Sequence, residues 1–248
     1  MSASQQLADL LDLAERVVIF TGAGISTESG IPDFRSPGGM WSRTTPVYYQ
    51  DFLSSEDERK RAWRQKLEMQ QDMGIAEPNR GHRAIEKLVR SGKVTHIITQ
   101  NVDGLHQRSG VPDEQVVELH GNGTYAKCLD CERRYELAPL LDAFEQDETV
   151  PQCASCGGLV KTATISFGQA MPEDPMRMSE HAANHCDLFI AIGSSLVVYP
   201  AAGFPIVAKQ AGASLVILNR DPTELDRYAD LVLNEEIGPT LGEAVGVN

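Results

Sequence analysis

Apolar positions along this chain follow two different periods. Short apolar-rich runs at 17–21, 94–99, 116–119, 188–192 and 215–218 predict strands. The runs at 188–192 and 215–218 are continuous rather than alternating, as in strands covered on both faces. A sixth short run at 231–233 predicts a last edge strand. Between these runs the spacing is helical. Leu7, Leu10, Leu11 and Ala14 predict a helix over 4–16, and further helices are predicted at 79–90 and in the Ala-rich stretch 201–210. Strands alternating with helices imply a mostly parallel sheet with helices on both faces.

Two segments break the rhythm. Residues 36–78 are polar and carry a charged helical stretch near 56–73, after a loop at 36–45 that Gly38 and Gly39 loosen. Residues 124–160 hold four cysteines and show no long apolar helix. The expected organisation is therefore a main α/β unit from 1–35, 79–123 and 161–248. A helical insertion at 36–78 and a cysteine-bearing insertion at 124–160 form a small second lobe.

Composition changes this picture little. The 248 residues carry a formal charge of −13, which argues against a nucleic-acid partner, since such binding leans on Lys and Arg. No apolar stretch is long enough to span a membrane, and the first residues lack the basic-then-apolar order of a secretory signal. The expected location is cytoplasmic. No coiled-coil pattern argues for assembly, so a monomer is expected.

The candidate chemistry begins where the first strand runs into Gly22-Ala23-Gly24. Such a turn lets backbone N–H groups approach a pyrophosphate, the opening of a Rossmann-like nucleotide site. The third glycine of the usual fingerprint is replaced by Thr27, and Gly30 and Pro32 interrupt the chain soon after. This is a variant site, over which Asp33, Phe34 and Arg35 fold back. Arg35 can neutralise phosphate, or serve as a surface ion-pair residue. The second strand ends in Gln100, Asn101 and Asp103, where ligands of open α/β sheets bind. Asn101 and Asp103 suit either ligand contacts or helix capping. Gly193, Ser194 and Ser195 follow a later strand, and Asn219 follows the next; each suits ribose or phosphate.

Of six histidines, His120 alone sits between a strand end and a glycine, where a near-neutral imidazole can act as a base. His106 falls on a short helix and suits packing or hydrogen bonding. His82, His96, His181 and His185 read as structural or surface residues. Cys128, Cys131, Cys153 and Cys156 form two Cys-x-x-Cys pairs 21 residues apart. Four thiolates suit one structural zinc ion with no open coordination position. Such a metal holds a lobe too poor in apolar residues to fold alone.

The combination of GAGIS with SGIPDFR, TQNVDGLH, LHG, the paired cysteines and GSSLVVYP resembles the sirtuin family of NAD-dependent protein deacylases, over about residues 7–245. The resemblance implies that Gly22, Ala23, Gly24, Asp33, Phe34, Arg35, Gln100, Asn101 and Asp103 bind NAD. Gly193, Ser194, Ser195 and Asn219 would hold its adenosine half. It implies His120 and Asn101 as catalytic residues. Ile165 and Phe167, with Val197 and Val198 opposite, would form an acyl-lysine tunnel, and a substrate peptide would pair along the 167–168 strand region. Protein ADP-ribosyl transfer is the alternative activity. Two departures stand out. Lys161-Thr162 and Gln169 replace the family's usual Arg-Pro and glutamate. Members selective for succinyl or malonyl lysine place Tyr and Arg three apart, where this chain has Trp63 and Lys66; the expectation is neutral acyl groups, with desuccinylase or demalonylase activity the alternative.

Overall fold

A computed structural model describes the backbone of residues 1–248 and every side chain except those of Trp41 and Asp72. In chain order the elements are α1 (Ala3–Leu13), β1 (Val17–Thr21), α2 (Met40–Arg43), α3 (Tyr49–Ser54), α4 (Glu56–Met73), α5 (Arg80–Arg90), β2 (Val94–Thr99) and α6 (Leu105–Arg108). There follow β3 (Val116–Glu118), β4 (Gly121–Cys128), β5 (Arg134–Glu136), α7 (Leu137–Asp147), β6 (Val160–Thr164) and α8 (Glu173–His185). The chain closes with β7 (Leu188–Ile192), α9 (Phe204–Gln210), β8 (Ser214–Leu218), β9 (Leu231–Leu233) and α10 (Ile237–Val245).

The larger sheet is parallel, in the order β3-β2-β1-β7-β8-β9. Residues alternate sides along β1. Val17 and Ile19 pack with Leu7, Leu11, Ile85 and Leu241 from α1, α5 and α10. Val18 and Phe20 pack with Ala183, Ala208 and Phe204 from α8 and α9. Both faces are covered, which is why the strands read as apolar runs. The order reverses around β1, whose neighbours β2 and β7 lead to opposite halves of the sheet, and this opens a crevice beyond the strand ends. No helix of the described residues is long and apolar enough to cross a membrane.

The smaller sheet is antiparallel, β5-β4-β6. The 36–78 and 124–160 segments meet there: Trp63 of α4 packs with Leu137, Leu141 and Phe144 of α7 and Val160 of β6. Strands β4 and β6 run without interruption through 123–124 and 160–161.

Three expectations differ from the structure. The 124–160 segment contains the 11-residue helix α7, whose buried Leu137, Leu141 and Phe144 lie at i, i+4 and i+7. Residues 165–168 are not a strand; β6 stops at Thr164, and Ser166 and Gln169 close a turn through Gln169 N–H to Ser166 O (3.0 Å). The 36–45 stretch contains the short helix α2, started by Met40 N–H bonding to Asp33 O (2.9 Å).

Candidate active site

The glycine turn after β1 is shaped by the strand beside it. An added Cβ on Gly24 would lie 2.7 Å from Gly193 Cα, and one on Gly22 2.7 Å from Gly193 O. Gly193 itself has φ +63°, in the left-handed region. The two turns after β1 and β7 therefore interlock through backbone alone, tied by Gly24 N–H to Gly193 O (2.8 Å). Beyond them the chain forms one 3-10 turn, Ala23–Ser29, rather than a long helix.

A cavity of about 910 Å³ opens at the carboxyl ends of the parallel strands and extends to the smaller lobe. Ala23 and Gly24 line it from the β1 turn, and Gln100 and Asn101 from the end of β2. Gly193, Ser194, Ser195 and Asn219 line it from the ends of β7 and β8. Asp33, Phe34 and Arg35 reach it from the segment after the glycine turn. Ile165, Phe167, Val197 and Val198 line its remaining wall, together with His120. Gly22 and Asp103 stand behind the wall instead of lining it.

The wall is tightly hydrogen-bonded. Asn101 is buried, and its Nδ2 donates to Gly22 O (3.0 Å) and Ser26 Oγ (3.2 Å). Ser26 Oγ donates to Asp103 Oδ2 (2.7 Å), while Asp103 Oδ1 accepts from Leu105 N–H (2.9 Å). Burial raises the Asp103 pKa, opposed by the Leu105 N–H and the Ser26 hydroxyl. Ser26 was not singled out from the sequence. It lies in the GAGIS segment, but its bridging role depends on contacts 75 and 77 residues away. Ser194 Oγ donates to Gln100 Oε1 (2.7 Å), joining the ends of β7 and β2.

Asp33 is engaged by its own turn. Its carboxylate accepts from Arg35 N–H (2.9 Å), Ser36 N–H (2.8 Å) and the Ser36 hydroxyl. Partial burial opposes the charge, but the bonds from Ser36 and Arg35 hold its pKa below the usual value. Arg35 is exposed at the rim. Asn219 Nδ2 donates to Asp221 O (2.7 Å).

His120 is fixed at one nitrogen. Its Nδ1 lies 3.1 Å from Gln100 O, a carbonyl that can only accept, so Nδ1 carries the proton and Nε2 keeps a free lone pair. Burial lowers its pKa, partly opposed by the Gln100 carbonyl. The neutral imidazole is the dominant form near pH 7, as a proton acceptor requires.

Two lysines line the same cavity. Lys161 is buried and donates to Thr162 O (3.3 Å) and Thr164 O. Lys66 is also buried, but among the described residues only the Met73 sulfur, at 3.8 Å, is in hydrogen-bonding reach of its Nζ. Burial lowers each to about 8. Trp63, one turn before Lys66, also lines the cavity and buries an indole N–H with no partner among the described residues.

The four cysteines gather at the far side of the small lobe, with all Sγ atoms within 4.8 Å of one another. Cys128 and Cys156 are 3.5 Å apart and Cys131 and Cys153 3.6 Å, far beyond a disulfide and close to the edge of a tetrahedron with 2.3 Å zinc–sulfur bonds. Asp130 N–H donates to Cys128 Sγ (3.4 Å) and Tyr135 OH to Cys153 Sγ (3.0 Å), as expected of groups that stabilise thiolate. The donor set fits a structural zinc ion.

The sequence model of the Sir2 family matches residues 22–200. The chain belongs to the Sir2 family. The NAD-dependent protein deacetylase of Rhodopseudomonas palustris is 56% identical over 245 residues, covering 99% of this chain and 97% of that protein. NAD-dependent protein deacetylase 1 of Bradyrhizobium diazoefficiens is 54% identical, with 99% and 96% covered. A structure solved for the mechanism and regulation of Sir2 enzymes matches with a TM-score of 0.87 at 38% identity, over 98% of this chain and 96% of that one. A Sir2 complex with a p53 peptide and NAD+ matches with a TM-score of 0.84 at 36% identity, over 97% and 96%.

Proposed function

We propose that this chain is an NAD-dependent protein-lysine deacylase, acting first of all on acetyl-lysine. The observation that carries the reading is His120, whose Nδ1 is tied to Gln100 O and whose Nε2 is left to act in the cavity that the glycine turn also lines. Relatives covering nearly the whole chain are named NAD-dependent protein deacetylases, which supports it. When bound, NAD supplies an electrophilic ribose carbon from which nicotinamide departs, so that the acyl group ends on ADP-ribose.

The chain's own residues then have distinct tasks. Ala23, Gly24 and Arg35 receive the phosphates, with Gln100 beside them, while Gly22 shapes the turn from behind the wall. Ser194, Ser195, Gly193 and Asn219 hold the adenosine half. Asn101 orients the nicotinamide end and nearby water, and Asp103 steadies that wall through Ser26. Asp33 shapes the turn that presents Phe34, which keeps water from the sugar. His120 Nε2 takes a proton from a ribose hydroxyl. Ile165, Phe167, Val197 and Val198 enclose the lysine stem of a protein substrate. The cysteines hold zinc for structure alone, since four thiolates leave no open position.

Product analysis tests this. Incubation with NAD and an acetyl-lysine peptide should yield nicotinamide, free lysine and O-acetyl-ADP-ribose. ADP-ribose attached to protein, with no acetyl loss, would instead establish ADP-ribosyl transfer. His120→Ala should lower deacylation by roughly 10²–10⁴-fold, the usual contribution of a positioned base. Near-normal turnover in that variant would remove His120 from the role.

A second acyl class is favoured by one observation. The buried ammonium of Lys66 and the buried indole N–H of Trp63 line the cavity without an acidic partner among the described residues, an arrangement suited to a carboxylate-ended acyl group such as succinyl or malonyl.

A further inference from the structure

The segment after the glycine turn folds back on itself. Asp33 Oδ1 accepts from Arg35 N–H (2.9 Å) and Ser36 N–H (2.8 Å), and Asp33 O accepts from Met40 N–H (2.9 Å). Gly39 N–H donates to Ser36 O (2.7 Å), and a Cβ on Gly39 would lie 2.8 Å from Asp33 O. Residues 33–40 therefore form one tight turn that lines the cavity with Phe34 and Arg35. From beyond β8, 184 residues away, one side chain reaches this turn. Arg220 Nη2 donates to Ser36 Oγ (3.3 Å), whose own proton goes to Asp33 Oδ2. Burial opposes the Asp33 charge, while the Ser36 and Arg35 bonds and then the Arg220 guanidinium hold its pKa below the usual value. Arg220 projects from a fixed base. Asn219 N–H donates to Leu233 O (3.1 Å), Asn219 O accepts from Asn234 Nδ2 (3.0 Å), and Asn219 Nδ2 donates to Asp221 O (2.7 Å). The guanidinium also lies 3.7 Å from Asp221 Oδ2.

We propose that Arg220 is a positioning residue, which straps the 33–40 turn to the loop after β8 and so steadies Phe34 at the cavity. Both ends of the strap, Ser36 and Arg220, line that cavity. The inference rests on the deacylase reading and deepens it. In that reading Asn219 holds the adenosine half of NAD, and Phe34 keeps water from the sugar. A ligand held by Asn219 would therefore lie beside the residue that fixes the shield. The strap is exposed and weak, so it opens readily to admit a ligand and re-forms behind it. Without the strap the shield is looser, and water replaces the acyl oxygen at the ribose carbon. One NAD and one water then give free ADP-ribose, nicotinamide and a proton, and the acyl-lysine stays intact.

Two experiments separate the strap from that reading. Hydrogen exchange of the zinc-loaded protein without NAD requires no turnover. Arg220→Met should speed exchange at the bonded amides of Ser36, Gly39 and Met40 by about 2–5-fold, the effect of one exposed charged contact. Unchanged exchange at those amides would overturn the strap whatever the enzyme does. Product analysis with an acetyl-lysine peptide forms the other arm. Arg220→Met should raise the ratio of free ADP-ribose to O-acetyl-ADP-ribose by the same factor of about 2–5. The KM for NAD should rise with it, and the KM for peptide should stay unchanged. Arg220→Lys, which keeps the charge without the planar fork, should recover part of the loss. In a Ser36→Ala background, Arg220→Met should change the product ratio no further. An unchanged ratio, or full additivity of the two substitutions, would reduce Arg220 to a surface charge. Absence of turnover in the wild-type protein would refute the deacylase reading and leave the exchange result to decide the strap.

Discussion

A lysine buried without a carboxylate is a costly residue, and among the described residues Lys66 has no carboxylate in hydrogen-bonding reach. Burial lowers its pKa to about 8, so near neutral pH it is still mostly charged. An acyl carboxylate entering the cavity would supply the missing partner and draw the pKa back up. Lysine lacks the bidentate fork of arginine, so the discrimination should be modest in size. We expect the wild-type enzyme to remove succinyl as well as acetyl groups. Lys66→Met should lower kcat/KM on a succinyl-lysine peptide by roughly 10–100-fold, the effect of one lost charge-assisted hydrogen bond, and leave the acetyl peptide nearly unchanged. Competition between the two peptides in one reaction gives the ratio directly. A wild-type enzyme inert toward succinyl-lysine would restore the expectation of neutral acyl groups alone.

At the scale of elements, the small lobe depends on metal more than on its apolar core. Its buried cluster consists of Trp63, Ala126, Leu137, Leu141, Phe144, Val160 and two of the cysteines. Two of the four cysteines are exposed, so little besides zinc would hold that end. Removing zinc with a chelator should loosen β4–β6 and α7 while the parallel sheet stays folded. Hydrogen exchange should show lost protection confined to 121–164, together with lost deacylation, since His120 adjoins β4. Unchanged protection there would show that the core suffices alone. The same contrast explains what the sequence revealed. β1, β2 and β7 were legible to the residue because central strands are apolar runs, and the short edge run of β9 was legible too. The α7 helix was not, since its three buried positions are diluted by Pro139 and acidic neighbours. The turn at 165–168 was hidden because its residues are β-prone, and the break comes from Gly168 at φ +81° and from Gln169 bonding back to Ser166. Most of the residues the motifs single out line one cavity, but Ser26 bonds to partners far away in the chain, which no local pattern encodes.

For the molecule as a whole, the two buried histidines His82 and His106 make stability depend on pH in a definite direction. His82 and His106 stay neutral in the folded chain to about 2 and about 4, whereas an unfolded histidine titrates near about 6.5. Between those limits the unfolded chain binds more protons, so stability rises with pH. The contribution is fully present above about pH 6.5 and is lost as pH falls toward the folded values. From pH 7 to 5, each buried ring should cost about 2 kcal/mol. His96 and His120, also lowered by burial, act in the same direction. Asp103 and Glu118, raised by burial, act in the opposite direction, since the folded chain then binds the extra protons. The two most strongly shifted groups, His82 and His106, both lower stability as pH falls through this window. The urea midpoint should therefore fall from pH 7 to 5. Protonation of the zinc thiolates adds to that fall, but it does so equally in a variant that keeps the cysteines. The informative quantity is thus the difference between proteins. His106→Gln removes one titrating ring and should fall by about 2 kcal/mol less over the same interval. Parallel pH profiles for the two proteins would mean that His106 is already protonated in the fold at pH 5, against the effect of its burial.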